Sequence, residues 1–401
     1  MKKTMLLTLM FILLSVVLTS CWNKDELNDL AIVIGLGLDK KGDEIEITVQ
    51  VVDPTQVASK TSASSGFTPV VLYSSTGKSV PDAVGRLTEK LPRKIYFAQL
   101  WVVIISEQIG KEEGVLHLID FLERNPDFRN DFYFAVAHKV SAKQLLSVIT
   151  SLDRIPAKNM FQKIKIAQEK WSPVSAKHLD DMLNDLLLPG KELVLNSFSI
   201  SGDMKKGASL KNLEEIGNET NILLNGLAVF KDDKLIGLLN ESESRGYSIL
   251  TNQLHQTISV LDCEDGNGVI TLQTLRSKSK IKANKKADGR FQIEVPVRVE
   301  ADVISSECSF TLTAAETLTK IEEMTGKKLI SNTNKMIQRT KKLNSDIVGF
   351  GAAIRRAYPD DWKKIQETGE NYYKQLEIKV IPEIHIRRIG SIGNSPSIKK
   401  E

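Results

Sequence analysis

The chain has 401 residues, of which 41% are hydrophobic and 26% charged, values typical of a globular protein with room for two or three domains. Its 54 basic and 50 acidic residues nearly balance, which argues against a dedicated nucleic-acid binder with a strongly basic face. The balance is closer still without Lys2 and Lys3, which precede the first acid, Asp25.

The first residues have the layout of a bacterial lipoprotein signal. Two lysines follow Met1, the run from Met5 to Leu18 is almost entirely apolar, and a small residue, Ser20, precedes Cys21. The run is shorter than the roughly 20 residues of a spanning helix. The sequence therefore predicts cleavage before Cys21 and a lipid anchor on that residue, with diacylglyceryl and N-acyl chains. The alternative is an ordinary secretory signal followed by a free cysteine.

The first segments after the signal predict a β-hairpin. Leu30–Leu38 and Glu44–Val52 have strand patterns and flank a turn-forming segment. Gly35-Leu36-Gly37 lies inside the first pattern and lacks the third glycine and the following helix of a phosphate-binding loop. We therefore interpret these glycines as part of a strand.

Strand and helix patterns then alternate, which predicts a mixed sheet with helices packed on it. Ser79 is the predicted N-cap of the first helix. The later segments are a strand, a helix, a strand, two helices and a strand, at Ala98–Ser106, Glu107–Glu123, Phe132–His138, Asn159–Lys170, Ser175–Leu188 and Leu193–Ser201. These elements predict an N-terminal α+β domain of one or two subdomains.

A second α+β domain with an antiparallel sheet and one long helix is predicted after a glycine-containing segment without apolar periodicity. The long helix is Ala314–Lys342, and a shorter helix follows at Asp346–Arg356. The last strand contains Pro382, which predicts a sheet edge or a bulge. The predicted signal peptide, N-terminal domain, linker, C-terminal domain and flexible tail are 1–20, 21–201, 202–220, 221–389 and 390–401.

Two motifs, one near each end, carry a resemblance to a known family. After Cys21 the chain continues Trp22-Asn23-Lys24-Asp25-Glu26-Leu27 and reaches an apolar strand that ends Gly37-Leu38-Asp39. Near the other end, Asp346-Ile347-Val348-Gly349-Phe350-Gly351 and Tyr358-Pro359-Asp360-Asp361-Trp362 have the patterns Asp-x-x-Gly-x-Gly and Tyr-Pro-x-x-Trp. Together these motifs resemble the Ger(x)C family, the lipoprotein C subunits of spore germinant receptors.

The resemblance implies a non-enzymatic receptor subunit, without a cofactor, that is needed for the response to nutrient germinants. It also implies two partners, a multi-pass membrane A subunit and a transporter-like B subunit. The implied location is the outer face of the spore inner membrane, with the anchor at Cys21. We interpret Gly349, Gly351, Pro359 and Trp362 as structural residues of a helix-to-helix turn.

No pattern in the sequence indicates a catalytic or metal site. No His-Glu-x-x-His, Cys-x-x-Cys or Gly-x-Ser-x-Gly motif occurs, and the histidines are dispersed at His117, His138, His178, His255 and His385. Two other function classes stay open. A solute-binding lipoprotein should have two similar lobes around a cleft, and a cell-wall hydrolase should show a catalytic constellation.

Cys263 and Cys308 are the remaining cysteines if Cys21 carries lipid. Both lie in or beside predicted strands of an exported protein, where they could form a disulfide or remain two buried thiols. The sequence leaves both alternatives open.

Two groups of basic residues stand out, a basic hairpin and a basic helix surface. The first comprises Lys278, Lys280, Lys282, Lys285, Lys286 and Arg290, and the second Lys327, Lys328, Lys335, Arg339, Lys341 and Lys342. Such groups attract anionic lipid headgroups or acidic partners. The near-neutral mature chain instead favours interpreting them as solvated surface.

Overall fold

The computed structural model describes residues 3–5, 8, 26–53, 68–171, 173–214, 216–217, 219–264, 266–308, 311–368 and 371–390. Cys21, most of the predicted signal and the tail from residue 391 lie outside these ranges. The described chain forms two β-sheets with helices packed against them, which confirms the predicted α+β class.

Nine strands form the first sheet: β1 Leu30–Lys41, β2 Glu44–Val52, β3 Val70–Gly77, β4 Lys94–Tyr96, β5 Val102–Ser106, β6 Tyr133–Ala137, β7 Val194–Ser201, β8 Asn221–Lys231 and β9 Lys234–Leu239. Their order is β3-β2-β1-β5-β6-β7-β8-β9, with β4 beside β1. The central strands β1, β5, β6 and β7 are parallel, and antiparallel strands extend the sheet on both sides. The predicted mixed sheet and its first hairpin are confirmed.

Helices cover both faces of this sheet, so β5 and β6 are buried at every position. The helices are α1 Val80–Leu87, α2 Glu107–Glu112, α3 Leu116–Arg124, α4 Ala142–Ser147, α5 Pro156–Lys170, α6 Leu179–Leu187 and α7 Met204–Gly207. Apolar residues of α1, α3 and α6 form the core on one face, and those of α4 and α5 form the core on the other. Ser79 caps α1 as predicted.

Two predicted helices are wrong in extent. The single helix predicted at Glu107–Glu123 is two helices, because the N–H of Val115 donates to the carbonyl of Asp233 in the β8–β9 turn (3.0 Å) and leaves the helical ladder. The helix predicted from Ser175 begins only with α6. The side chain of Asn196 binds both the N–H and the carbonyl of Ser175 (2.9 and 2.8 Å) and so keeps that residue out of the helix.

The second sheet has five strands: β10 Thr257–Asp262, β11 Val269–Ser279, β12 Lys282–Lys285, β13 Phe291–Ser306 and β14 Glu377–Arg388. The order is β10-β11-β13-β12 with antiparallel pairs, and β14 adds to β13 in parallel. Among the described strands β14 pairs with β13 alone, so Pro382 lies in an edge strand, as predicted.

The helices of this half are α8 Glu241–Leu250, α9 Ala315–Leu343, α10 Phe350–Ala357, α11 Pro359–Thr368 and α12 Tyr372–Gln375. The predicted long helix is confirmed as α9, which has 29 residues. The helix continues through Gly326. A Cβ atom at this position would lie 3.3 Å from Pro382 of β14, so glycine allows the close approach of that strand. Leu329, Met336 and Ile337 of α9 pack into a core shared with β13 and with α8.

The predicted linker, 202–220, lies between β7 and β8 and contains α7 and a 3-10 turn, Leu210–Leu213. Asn212 is buried, and its amide donates to the carbonyls of Ile149 (2.8 Å) and Thr220 (2.9 Å). Because β8 and β9 belong to the first sheet, that sheet continues beyond the predicted linker. The predicted domain limits themselves stay a prediction.

Candidate functional site

The N-terminal motif attaches helix α4 to strand β1. The carboxylate of Asp39 accepts hydrogen bonds from the N–H groups of Ala142 (2.8 Å) and Lys143 (2.9 Å). These donors belong to the first turn of α4, where backbone N–H groups lack partners within the helix. Burial raises the pKa of Asp39, and the two hydrogen bonds oppose that shift. A negative charge at a helix N-terminus is also favourable for the helix dipole.

The glycines of this motif let two helices approach the strand. A Cβ atom at Gly35 would lie 2.8 Å from Leu146 and 2.9 Å from Ala157. The side chain of Gln50 on β2 secures the same helices, because it donates to the carbonyl of Leu146 (2.7 Å) and accepts from the N–H of Ala157 (3.0 Å). Gln50 was not predicted as an anchor, because it occupies a regular polar position in the alternating pattern of Glu44–Val52.

The C-terminal motif is organised around Asp346, which is not helical as predicted but caps the start of α10. Its carboxylate accepts from the N–H groups of Gly349 (2.9 Å), Phe350 (3.1 Å) and Gly351 (2.7 Å). The hydroxyl of Tyr372 donates to it as well (3.0 Å). Burial raises the pKa of Asp346 to about 6, although these four hydrogen bonds favour the ionised form. Burial also raises the pKa of Tyr372, so its hydroxyl stays a donor.

The other residues of the C-terminal motif are structural, as predicted, but Gly351 and Trp362 lie inside α10 and α11 and not in the turn that was predicted for them. Gly349 has φ +86°, in the left-handed region that favours glycine. A Cβ atom at Gly351 would lie 2.2 Å from the hydroxyl of Tyr372. Pro359 is the first residue of α11, and Trp362 is buried beside Tyr372 with their ring centroids 5.1 Å apart.

The C-terminal joint, residues 345–352, also attaches the loop between α9 and α10 to the first sheet. The carbonyl of Asp346 accepts from the N–H of Glu192 (2.9 Å), just before β7, and the N–H of Ala352 donates to the carbonyl of Gly190 (3.1 Å). The hydroxyl of Ser345 donates to the carbonyl of Phe230 in β8 (2.6 Å). The loop between α9 and α10 is therefore bonded to the first sheet at both β7 and β8.

A buried ion cluster lies beside the contact between the α9–α10 loop and the first sheet. Asp185 of α6 lies 2.9 Å from the Nζ atom of Lys177 and 2.6 Å from that of Lys191. The side chain of Lys191 in turn packs against Gly349. Breaking a buried pair leaves an uncompensated charge, so this cluster fixes the position of the segment that meets Asp346.

Cys263 and Cys308 form a disulfide, so of the two alternatives left open by the sequence the structure shows the bridge. Their Cα atoms are 5.6 Å apart. The bond joins the end of β10 to the segment after β13, at the edge of the second sheet.

Three of the five histidines have identified partners in the structure. Among the described residues, no group of three or more histidine, cysteine or acidic side chains could hold a metal ion. His138 pairs with Glu107, and His385 lies 2.9 Å from Glu383. Nδ1 of His178 lies 3.0 Å from the carbonyl oxygen of Phe132.

Half of the basic hairpin is already neutralised within the protein. Lys285 pairs with Asp361 (2.7 Å), Arg290 pairs with Asp288, and Lys286 pairs with Glu377. These ion pairs support the interpretation of the hairpin as ordinary solvated surface.

The basic helix surface contributes instead to a cleft of about 1120 Å³, which we call the α5–α9 cleft. One wall is α5 with the residues that follow it, and the other wall is the last half of α9. The ends of β8, β9 and the start of α8 form the floor. Its principal lining residues are Lys163, Lys170, Trp171, Lys335, Arg339 and Lys342.

Comparison with known proteins identifies the family. A family model described as "Spore germination protein N-terminal domain" matches residues 23–200, and one described as "Spore germination B3/ GerAC like, C-terminal" matches residues 225–390. Spore germination protein KC of Bacillus subtilis (strain 168) is 31% identical over 401 residues, which cover 99% of this chain and 98% of that protein. The chain belongs to the GerAC-like family of spore germination proteins.

Further similarities agree with membership of the GerAC-like family. The putative spore germination protein YfkR of Bacillus subtilis (strain 168) is 24% identical over 393 residues, covering 97% of this chain and 98% of that protein. The crystal structure of the GerBC protein aligns with a TM-score of 0.52 and 17% identity, over 88% of this chain and 96% of that chain. The structural similarity confirms the fold. The family models and the similarity to spore germination protein KC confirm the resemblance drawn from the two motifs.

The predicted lipid-attachment residue, Cys21, lies outside the described residues. Within the part of the chain that the structure describes, no helix combines the length and apolar character needed to cross a bilayer.

Proposed function

We propose that this protein is the lipid-anchored, non-enzymatic C subunit of a spore germinant receptor, needed for the response to nutrient germinants. The observation that carries the proposal is the family match over both halves of the chain. The first matched domain begins at residue 23, directly after Cys21, as expected for a mature chain that starts at the lipidated cysteine.

The proposed location is the outer face of the spore inner membrane. Leu27, the first residue of a described 3-10 turn, is six positions after Cys21, and six positions of extended chain reach at most about 22 Å. The anchor would therefore hold the N-terminal end of β1 close to the lipid surface. The proposed partners are the multi-pass membrane A subunit and the transporter-like B subunit.

A non-enzymatic role is supported by the structural role of the two buried carboxylates in the motifs. Asp39 and Asp346 each accept backbone N–H groups at a helix start, where they stabilise the fold. The dissimilar sheets, with nine and five strands, argue against the two similar lobes of a solute-binding lipoprotein.

The test is germination of spores that carry Cys21→Ala, scored against a panel of amino acids and sugars, with membrane fractionation of the same spores. Ser20→Ala is the matched control, because it keeps a small residue before the cysteine. We expect Cys21→Ala to release the protein from the membrane and abolish one nutrient response, while Ser20→Ala leaves both unchanged. A protein that stays in the membrane without Cys21 would refute the anchor.

A germination response that survives complete release from the membrane would refute the need for anchoring. To exclude masking by related receptors, the same variants are tested in spores from which other germinant receptors have been deleted.

A further inference from the structure

The α5–α9 cleft carries a concentration of positive charge that the protein does not neutralise. Among the described residues, none of its five cationic side chains forms an ion pair with a carboxylate: Lys163, Lys170, Lys335, Arg339 and Lys342. Three of them contact neutral acceptors, and Lys335 and Lys342 have no bonding partner among those residues. This surface differs from the basic hairpin, where carboxylates pair with three of the six cations.

The two acids at the floor of the cleft are engaged elsewhere. Glu241 pairs with Arg245 (3.0 Å), whose guanidinium lies over the ring of Trp171, 5.1 Å from its centroid. Glu243 accepts from the N–H of Asn240 (2.9 Å) as part of the cap of α8. The cleft therefore has five cations against two acids, and among the described residues neither acid forms an ion pair with a cation of the walls.

The cations come from opposite walls and two of them are held in place. Lys163 on α5 donates to the carbonyl of Ile222, and burial lowers its pKa. Arg339 on α9 donates to the carbonyl of Leu238 at the floor (3.4 Å), so its position is fixed against β9. A fixed guanidinium is suited to binding a carboxylate or a phosphate.

The long segments outside the described residues do not have the charge to fill the cleft. Segment 9–25 balances Lys24 against Asp25, segment 54–67 contains only Lys60, and segment 391–401 sets Lys399 and Lys400 against Glu401. None of these three segments therefore offers an excess of negative charge to complement the cleft.

The remaining lining is partly apolar. Trp171 and Ile166 on the α5 wall are 41% and 57% exposed, and Leu224 lies at the floor. Ligand pockets combine apolar surface with a few convergent polar groups, and the volume of this cleft is close to the usual range for small ligands.

We propose that the α5–α9 cleft binds a small organic anion that carries carboxylate or phosphate groups on an apolar ring or chain. The anionic groups bind Arg339, Lys335 and Lys342, and the apolar part packs against Trp171. This proposal rests on the geometry of the cleft and does not depend on the lipid anchor.

The experiment is isothermal titration calorimetry of the full chain in detergent with four probes: succinate, isophthalate, inorganic phosphate and phenyl phosphate. Succinate and isophthalate carry carboxylates, whereas the other two probes carry phosphate. In each pair only isophthalate or phenyl phosphate has a ring, and neutral isophthalamide is the control ligand without charge. We expect a ring-bearing anion to bind more tightly than its ring-free counterpart, and the affinity to fall with added salt. No binding of any of the four anions would overturn the proposal.

The variant Lys335→Gln/Lys342→Gln removes two exposed charges without removing a hydrogen bond within the described residues. We expect it to weaken binding about tenfold, which corresponds to about 1.4 kcal/mol. Lys327→Gln/Lys328→Gln, on the same helix but outside the lining, is the matched control and should change affinity less than about twofold. Equal effects of the two variants would overturn the proposal, as would binding of a glutamate-rich peptide when no small anion binds.

Discussion

The C-terminal joint predicts a large and specific loss of stability for Asp346→Ala. The substitution leaves the N–H groups of Gly349, Phe350 and Gly351 without their carboxylate acceptor in a buried region. Each unsatisfied buried donor costs about 1–3 kcal/mol. Water entering the vacated space would recover part of this, so we expect the free energy of unfolding to fall by about 3 kcal/mol or more. Urea unfolding followed by tryptophan fluorescence measures the change.

Asp203→Ala is the control, because Asp203 also caps a helix but from an exposed position. Its carboxylate accepts from the N–H groups of Lys205 (2.8 Å) and Lys206 (3.3 Å), which water can solvate after the change. Loss of an exposed cap costs about 1 kcal/mol. If Asp346→Ala were no more destabilising than Asp203→Ala, the assignment of the joint as a buried anchor would be wrong.

The pKa of Asp346 gives the same joint a pH signature. Burial raises this pKa from 3.8 to about 6, so the folded protein binds a proton more tightly than the unfolded chain does. The stabilisation that comes from this proton uptake is therefore fully present only well below the unfolded pKa of 3.8 and is lost as the pH rises through about 6, whereas the hydrogen bonds to the carboxylate favour its ionised form. The total is about 3 kcal/mol, at 1.36 kcal/mol per pKa unit.

Asp346→Asn removes this titration and nearly preserves the shape of the side chain. We expect the stability difference between wild type and Asp346→Asn to change by about 2.4 kcal/mol between pH 4 and pH 7. The subtraction cancels other groups that titrate in both proteins. A difference that is independent of pH would refute the raised pKa.

Three further predictions concern other anchors of the fold. Gly349→Ala places a side chain at φ +86° and should lower the free energy of unfolding in urea by about 1–2 kcal/mol. Gly85→Ala is the control, because a Cβ atom there meets no neighbouring atom, and it should not lower the free energy of unfolding. Gln50→Leu removes the hydrogen bonds to α4 and α5 and should cost about 2 kcal/mol, with faster amide exchange at the start of α5. Cys263→Ser/Cys308→Ser opens a link across 45 residues and should cost about 4 kcal/mol, so a thermal midpoint insensitive to this change and to reductant would contradict the bridge.

The sequence predicted elements whose cause is local. The apolar period of α9 located it within one residue at each end, and the pattern of the first hairpin located β1 and β2. Pro382 predicted an edge strand, because proline lacks the N–H group that an interior strand needs. These features depend only on neighbouring residues, so the sequence contains them.

Features that depend on distant partners were not predictable. The pattern at β8 and β9 indicated a hairpin but not that it would join the first sheet. Asp39 bonds residues about a hundred positions away, and the approach of α4 and α5 to Gly35 depends on the same long-range contact. Asp346 was placed inside a helix because its pattern is continuous with α10, whereas its side chain caps that helix from outside. The basic residues of α9 were noted, but Lys163 and Lys170 join them only through the fold.

The two motifs affect the α5–α9 cleft indirectly, because they position the helices that form its walls. The α5 wall begins at Pro156, and the adjacent Ala157 is secured by Gln50 and packs against Gly35. The α9 wall ends at Leu343, only three residues before Asp346, which is bonded to Glu192 before β7 and to the start of α10. The separation of the cationic side chains on the two walls is therefore set by joints that contribute no lining residue. A substitution in either motif can therefore impair the protein without changing a residue that lines the cleft. Measuring both the free energy of unfolding and the affinity for anions on the same variant distinguishes loss of the fold from a shift of α5 or α9.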